Sequence, residues 1–257
     1  MLDRELAYYE DFYSGPGAAH FAKPAVVAFR QYLVRRILRA TGAGPNSRVL
    51  SIGCGIGDTE LLLAPHVAQV TGFDLSPAAI QAATRAAALS GVHNVQFMQG
   101  AWQDLSPTGQ SFDLVLAIFF LHHLGETQFA DFPSQLRPLV NDHGRFYALE
   151  PSARRLSGFL GKLLVPRLMK KYQSDDERPL LVGPTAASFH QARFDVTYRW
   201  FDFCSTPIAG LFPSWPSAYR LARQLDHALT ALPGLHALSS NFELIAAAAS
   251  PRDPICQ

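Results

Sequence analysis

The sequence predicts an α/β fold: a doubly wound, mostly parallel sheet with helices on both faces. Three observations carry that expectation. Strand-like and helix-like segments alternate from residue 47 to residue 150, the first strand runs directly into a glycine loop that opens a helix, and an acid closes the second strand. The 257 residues suffice for one such domain with insertions. With 48% hydrophobic and 17% charged residues, the chain can bury a sizeable core, which argues against extended disorder.

The elements follow in order. Residues 24–40, PAVVAFRQYLVRRILRA, set Val26, Val27, Phe29, Tyr32, Leu33, Ile37 and Leu38 near one stripe of a helix, with Pro24 in its first turn. SRVLSIG (47–53) is a short apolar strand, and DTELLLAPHV a helix for which Asp58 or Thr59 is a suitable N-cap. AQVTGFD (68–74) is a second strand. Pro77 opens an alanine-rich helix to about residue 89. NVQFMQG (94–100) and FDLVLAIFF (112–120) are the third and fourth strands. ETQFADFPSQLRPLV (126–140) is a helix bent or restarted at Pro133, and GRFYALE (144–150) is the fifth strand. Beyond Glu150 the regular alternation loosens. TAASFHQA (185–192) is helical in pattern, FDVTYRWFDF (194–203) alternates like a strand, and NFELIAAAA (241–249) is the last strand. The stretch between those two strands is mostly helical in pattern. The expected organisation is a single domain over 1–257, with an N-terminal helical cap (1–40), a ligand-binding core (41–150) and insertions at 151–182 and 203–240.

Bulk properties exclude several functions. A net charge of +1 supplies no basic field for a nucleic-acid backbone. Cys54, Cys204 and Cys256 are few, odd in number and far apart. They point to a reducing compartment rather than a disulfide scaffold, and with no CxxC pair they offer no zinc site. The start, MLDRELAYYEDFY, lacks the basic and apolar segments of a signal peptide. No uncharged apolar run reaches the ~18 residues of a membrane span. The expectation is a soluble, cytoplasmic chain.

The informative stretch is VLSIGCGIGDTE (49–60). Gly53, Gly55 and Gly57 form GxGxG, whereas the dinucleotide fingerprint would need a third glycine where Asp58 stands. No Gly-Lys-Ser/Thr follows, so the loop suits a nucleoside without a pyrophosphate. Asp74, seventeen residues after Gly57, ends the second strand and can accept both hydroxyls of a ribose. QGAWQDL (99–105) then places Ala101 and Trp102 beside the base, with Asp104 near; the plainer role for Trp102 is core packing. Cys54 is small filler between glycines, not a nucleophile.

Five stretches in this order, VLSIGCGIGDTE, GFDLSPAAI, MQGAWQDLSP, FDLVLAIFFLHHL and LRPLVNDHGRFYALEP, resemble the class I S-adenosylmethionine-dependent methyltransferases. The likeness covers residues 47–150, and 24–46 more loosely, with motifs of the ubiquinone and menaquinone methyltransferase kind. It implies a Rossmann-like sheet of seven strands with the last reversed, and S-adenosyl-L-methionine bound at the strands' C-terminal ends. It implies cofactor contacts at Gly53, Cys54, Gly55, Gly57, Asp74, Leu75, Ala101, Trp102 and Phe119, and closure by N-terminal tyrosines, Tyr9 and Tyr13. One departure stands out. Many relatives carry an acid two residues before the first glycine, which helps hold the methionine amino group; here that position is Ser51, with Asp58 or the N-terminal tyrosines as replacements.

The segment after the fourth strand faces the transferred methyl group in this family, and here it reads AIFFLHHLGE. His122 and His123 are candidates for general base or substrate orienter, with His123 placed first, or for packing of the helix that follows. Glu150 is a further catalytic candidate, with bonding to loop amides slightly favoured. The Asn/Asp-Pro-Pro-Tyr/Phe motif of adenine-amino enzymes and the Pro-Cys nucleophile of cytosine-carbon enzymes are both absent. The expected acceptor is therefore a small apolar or aromatic molecule, methylated on oxygen first and on carbon or nitrogen after it. No metal is expected. In LSGFLGKLLVPRLMKK (156–171), Leu156, Phe159, Leu160, Leu163 and Leu164 recur at helical spacing among basic residues; a pocket lid is favoured over a membrane contact. Two rivals remain: a non-methylating enzyme of the same fold, and a non-catalytic module that binds S-adenosylmethionine. A nicotinamide oxidoreductase is disfavoured by the glycine spacing.

Overall fold

A computed structural model describes residues 10, 13, 16–159 and 178–249. Seven strands form one sheet: β1 Arg48–Ile52, β2 Gln69–Asp74, β3 Val95–Gln99, β4 Phe112–Ile118, β5 Val140–Pro151, β6 Phe194–Asp202 and β7 Asn241–Ala248. Their order is β3-β2-β1-β4-β5-β7-β6. The first five are parallel, and β7 runs antiparallel to both β5 and β6. The central strands RVLSI and FDLVLAI are buried on both faces, as a parallel sheet covered by crossover helices requires. The edge strands β3 and β6 carry the exposed positions.

The helices are α1 Pro16–Phe21, α2 Pro24–Thr41, α3 Asp58–Leu63, α4 Pro77–Ser90, α5 Glu126–Leu136, α6 Val182–Gln191, α7 Ser205–Leu211 and α8 Pro216–Thr230. On one face Phe132, Leu136 and Phe189 of α5 and α6 pack with Phe146 and Trp102. On the other, Phe29, Leu33 and Ile37 of α2 pack with Tyr147, Leu149, Phe201 and Tyr219. Each such large side chain contributes about 1.5–3 kcal/mol on burial, and these two clusters hold the sheet rigid at its C-terminal rim.

Three local expectations are corrected. The cap of α3 is Gly57, with φ 73° and no side-chain cap, because Asp58 already lies inside the first turn. Helix α5 is a single helix through Pro133 rather than one restarted there; the missing proline N–H forfeits one bond, and burial of Phe132, Pro133 and Leu136 outweighs it. Strand β5 begins at Val140, four residues earlier than the pattern suggests. Of the expected lid, residues 160–177 lie outside the described residues, as do Tyr9 and Cys256. Among the described residues no helix is long and apolar enough to cross a membrane.

Buried polar side chains clamp the insertion between β6 and β7. Asn241 donates to Asp202 Oδ1 at 2.7 Å, and Asp202 Oδ2 accepts the Thr206 N–H at 2.6 Å. Asp226 of α8 accepts the N–H groups of Phe203, Cys204 and Ser205 at 2.9–3.0 Å, closing the N-terminus of α7. A second buried network ties α2 to the sheet. Glu243 of β7 is bound in bidentate fashion by Arg36 and accepts the Tyr147 hydroxyl at 2.9 Å.

Candidate active site

The strand ends β1, β2 and β4 open into a cavity of about 700 Å³. Its floor is the loop after β1. Gly53 and Cys54 donate N–H to the Phe73 carbonyl at 2.8 and 3.0 Å, strapping the loop to β2. Gly55 has φ 52°, and a Cβ there would stand 2.8 Å from the Tyr13 hydroxyl, so both backbone sign and space demand glycine. Its N–H donates to Asp74 Oδ2 at 2.8 Å while Ser76 N–H reaches Oδ1 at 2.9 Å. These two bonds fix the Asp74 carboxylate plane at the cavity wall and leave lone pairs for hydroxyls of a ligand. Burial nevertheless holds Asp74 above the usual carboxylate range, against the lowering effect of the Ser76 and Gly55 N–H groups.

The predicted contacts converge. Gly53, Cys54, Gly55, Asp74, Leu75, Ala101, Trp102, Phe119 and Tyr13 all line this one cavity. Gly57 does not; it caps α3, and a Cβ on it would collide with the Phe97 ring. Leu75 lies at the rim, 39% exposed. Trp102 serves both readings, lining the cavity while packing edge-on against Phe132 at 5.2 Å between ring centres. The Cys54 thiol is buried and held well above its ordinary value by that burial, then by Glu60 and Asp74, so it is a neutral filler. Burial, then Asp74 and Asp58, likewise keep the Tyr13 phenol protonated.

Beyond β4 the chain turns sharply. Phe119 takes φ 54°, an uncommon value for a bulky residue, and its N–H reaches the Leu149 carbonyl at 2.8 Å. A 3₁₀ turn, Leu121–His123, follows. Glu150 at the end of β5 explains why the turn holds. It is fully buried; Oε1 accepts the N–H groups of Phe120 and Leu121 at 3.0 and 2.7 Å, and Oε2 meets His122 Nδ1 at 2.8 Å. An ionised carboxylate only accepts, so Nδ1 carries the proton and Nε2 is the basic nitrogen of the ring. His122 is 5% exposed and lines the cavity; His123 lies beside it, ring centres 4.0 Å apart, and lines it too.

A family model described as a methyltransferase domain matches residues 49–144, the span from β1 to the middle of β5. Residues 49–144 are thus a methyltransferase domain, in the stretch whose motifs resemble the class I S-adenosylmethionine-dependent enzymes. The chain is 31% identical over 103 residues to an uncharacterized methyltransferase, YcgJ, of Bacillus subtilis, covering 40% of each. It is 32% identical over 129 residues to the ubiquinone biosynthesis O-methyltransferase of Azorhizobium caulinodans, covering 49% of this chain and 50% of that one. The chain thus spans half or less of the length of these curated relatives. In structure, YcgJ aligns over 86% of this chain and 99% of its own, with TM-score 0.59 and 18% identity. Magnesium protoporphyrin IX methyltransferase of Synechocystis PCC 6803, solved with bound S-adenosylhomocysteine, aligns over 86% and 83%, with TM-score 0.56 and 17% identity. The cofactor of this family is S-adenosylmethionine, and the bare glycine loop, the oriented Asp74 carboxylate and the flat wall of Trp102 are what a nucleoside of that shape needs.

One residue, at the end of the VLSIGCGIGDTE stretch, had no role assigned by the motif. Glu60 of α3 is 2% exposed and accepts the Ser51 hydroxyl at 2.5 Å. Asp58, the expected substitute for the missing acid, also lines the cavity and is paired with Arg30 at 2.7 Å. Burial pushes the Glu60 carboxyl up to about 7, partly offset by the Ser51 hydroxyl, while Asp58 raises it further. Because the folded value lies above the ordinary 4.5, the stability Glu60 contributes is fully present below pH 4.5 and is lost as pH rises through about 7. Glu60→Gln is therefore expected to stabilise the ligand-free chain at pH 8, by at most about 3 kcal/mol, and to bring no gain at pH 4. Thermal melts at the two pH values check this.

Proposed function

We propose that the chain methylates an oxygen of a small apolar or aromatic acceptor, with His122 Nε2 taking the acceptor's proton and Glu150 fixing the ring. The observation that carries this is the His122–Glu150 pair on the wall of the same cavity that holds the glycine loop and Asp74. Bound S-adenosylmethionine supplies an electrophilic methyl group on a sulfonium. The chain's residues do the rest. Asp74 holds the ribose, Ala101 and Trp102 flank the base, and the backbone from Gly53 to Gly55 lines the methionine side. Phe120, Leu124 and Leu211 with Gly210 offer apolar walls to the acceptor. As the new carbon–oxygen bond forms and the carbon–sulfur bond breaks, the hydroxyl proton passes to His122, leaving S-adenosylhomocysteine and a methyl ether. Glu150 touches neither reactant; it is a positioning residue. His122 comes before His123 in this reading because its tautomer is set by a buried carboxylate. The relative named as a ubiquinone biosynthesis O-methyltransferase supports the choice of oxygen.

The test is incubation with S-adenosylmethionine carrying a labelled methyl group and a set of hydroquinone and catechol acceptors. Equal amounts of S-adenosylhomocysteine and labelled ether are expected. Cofactor binding with no S-adenosylhomocysteine from any acceptor favours the non-methylating alternative. Asp74→Ala is expected to weaken S-adenosylhomocysteine binding about ten- to hundredfold, through lost ribose bonds, in a calorimetric titration, with the melting temperature confirming the fold.

A further inference from the structure

Glu60 is a carboxylate without a charged partner in the middle of the donor half of the cavity. Oε1 accepts from the neutral Ser51 hydroxyl, and Oε2 is buried with no hydrogen-bond partner among the described residues. A buried carboxylate oxygen left unbonded costs stability, so its retention calls for a ligand that satisfies it. Arg30 of α2, whose charge acts on Glu60, spends its Nε on Asp58. Glu60 shares the cavity wall with Gly53, Gly55 and Asp74, beneath Ser51 at the position where many relatives carry an acid.

We propose that Glu60 is the binding residue for a primary ammonium group in this cavity, namely the α-ammonium of the methionine moiety, so that helix α3 supplies the acid that β1 lacks. The assignment rests on the cofactor reading above. It carries a consequence that an acid exposed at the end of β1 would not. The groups facing Glu60 are Ser51 from β1, Asp58 on its own helix, Arg30 from α2 and the neutral Cys54 thiol of the loop. With burial dominant among these influences, a good part of the Glu60 population is protonated near neutral pH when the cavity is empty. An ammonium placed alongside favours the ionised form. Binding therefore expels a proton, and affinity for the amino-acid end rises as the medium becomes more alkaline.

The experiment is calorimetric titration of the full chain and of Glu60→Gln with S-adenosylhomocysteine at pH 6, 7 and 8, in phosphate and in Tris, whose ionisation enthalpies differ. A parallel titration uses 5′-methylthioadenosine, which keeps the nucleoside and sulfur and lacks the ammonium. The wild-type chain is expected to bind S-adenosylhomocysteine more tightly as pH rises and to release roughly half a proton at pH 7. Glu60→Gln is expected to bind it about tenfold more weakly at pH 8, with no proton release, and to bind 5′-methylthioadenosine as the wild type does. The double variant Ser51→Asp/Glu60→Gln, which returns the acid to the strand, is expected to recover the affinity. Unchanged affinity and persistent proton release in Glu60→Gln overturn the assignment; so does equal weakening toward both ligands. A wild-type chain that binds neither ligand overturns the cofactor reading instead.

Discussion

His122→Ala is expected to lower turnover about a hundredfold or more while leaving S-adenosylhomocysteine affinity unchanged, the size usual for loss of a positioned general base. Geometry supplies the reasoning. Glu150 Oε2 receives Nδ1, so the proton-accepting nitrogen is Nε2, on a ring that the buried pair cannot let rotate. Glu150→Gln sharpens the test. The amide oxygen can still accept from Phe120 and Leu121, but its NH₂ would then face His122 Nδ1, making Nδ1 the acceptor and moving the ring proton to Nε2. Turnover is expected to fall nearly as far as in His122→Ala, with the turn intact, and the double variant is expected to be no slower than His122→Ala alone. Steady-state kinetics across pH, beside calorimetric binding, checks all three outcomes. If His122→Ala retains full turnover and His123→Ala does not, the base is His123.

Arg36→Met is expected to destabilise the chain by about 3–5 kcal/mol, a drop in melting temperature of about 6–10 °C at this chain length. Glu243 is fully buried on β7, and its two oxygens are bound by Arg36 and the Tyr147 hydroxyl. Removing the guanidinium strands a charge inside the sheet. Arg36 also stacks on Phe201, and Arg223 of α8 lies 4.0 Å over the Tyr32 ring while donating to its hydroxyl at 2.6 Å. The loss thus loosens α2 and α8 together. Replacing both members, Arg36→Met with Glu243→Gln, is expected to recover most of it, because the stranded charge is the larger part of the cost. Differential scanning calorimetry of the two single variants and the double variant decides the matter; a single variant within about 1 kcal/mol of wild type would show that the pair is solvated.

Much of the sheet was legible in the sequence because its signals are local. An apolar run such as VLSI and a helix opened by Pro77 are patterns of a few residues, and their order alone implied the crossovers. The donor loop was legible for the same reason: glycine spacing and Asp74 lie within one β-α-β unit. What escaped were pairs brought together by the fold. Ser51 and Glu60 meet because α3 folds back over β1, whereas motif matching inspects only the strand position. His122 and Glu150 are 28 residues apart, on neighbouring strand ends, so neither their pairing nor the left-handed turn at Phe119 had a sequence signature. Arg36 and Glu243 lie 207 residues apart and were not singled out at all.

The clamp at Asp202 and Asn241 has a consequence for how such a chain can change. The insertion leaves the sheet at one of these residues and re-enters at the other, and a hydrogen bond joins the two exits. Its ends are therefore held at a fixed, short separation whatever lies between them. Closing a longer loop across such a gap adds only about 0.6 kcal/mol per doubling of length. Thr206, Pro207, Ala209 and Leu211, all within this segment, line the cavity. This part of the cavity wall can thus be lengthened, shortened or exchanged while the register of β6 on β7, and the glycine loop after β1, stay as they are. Divergence in the cavity wall then needs only local rewriting, with the His122–Glu150 pair and the glycine-loop floor inherited unchanged.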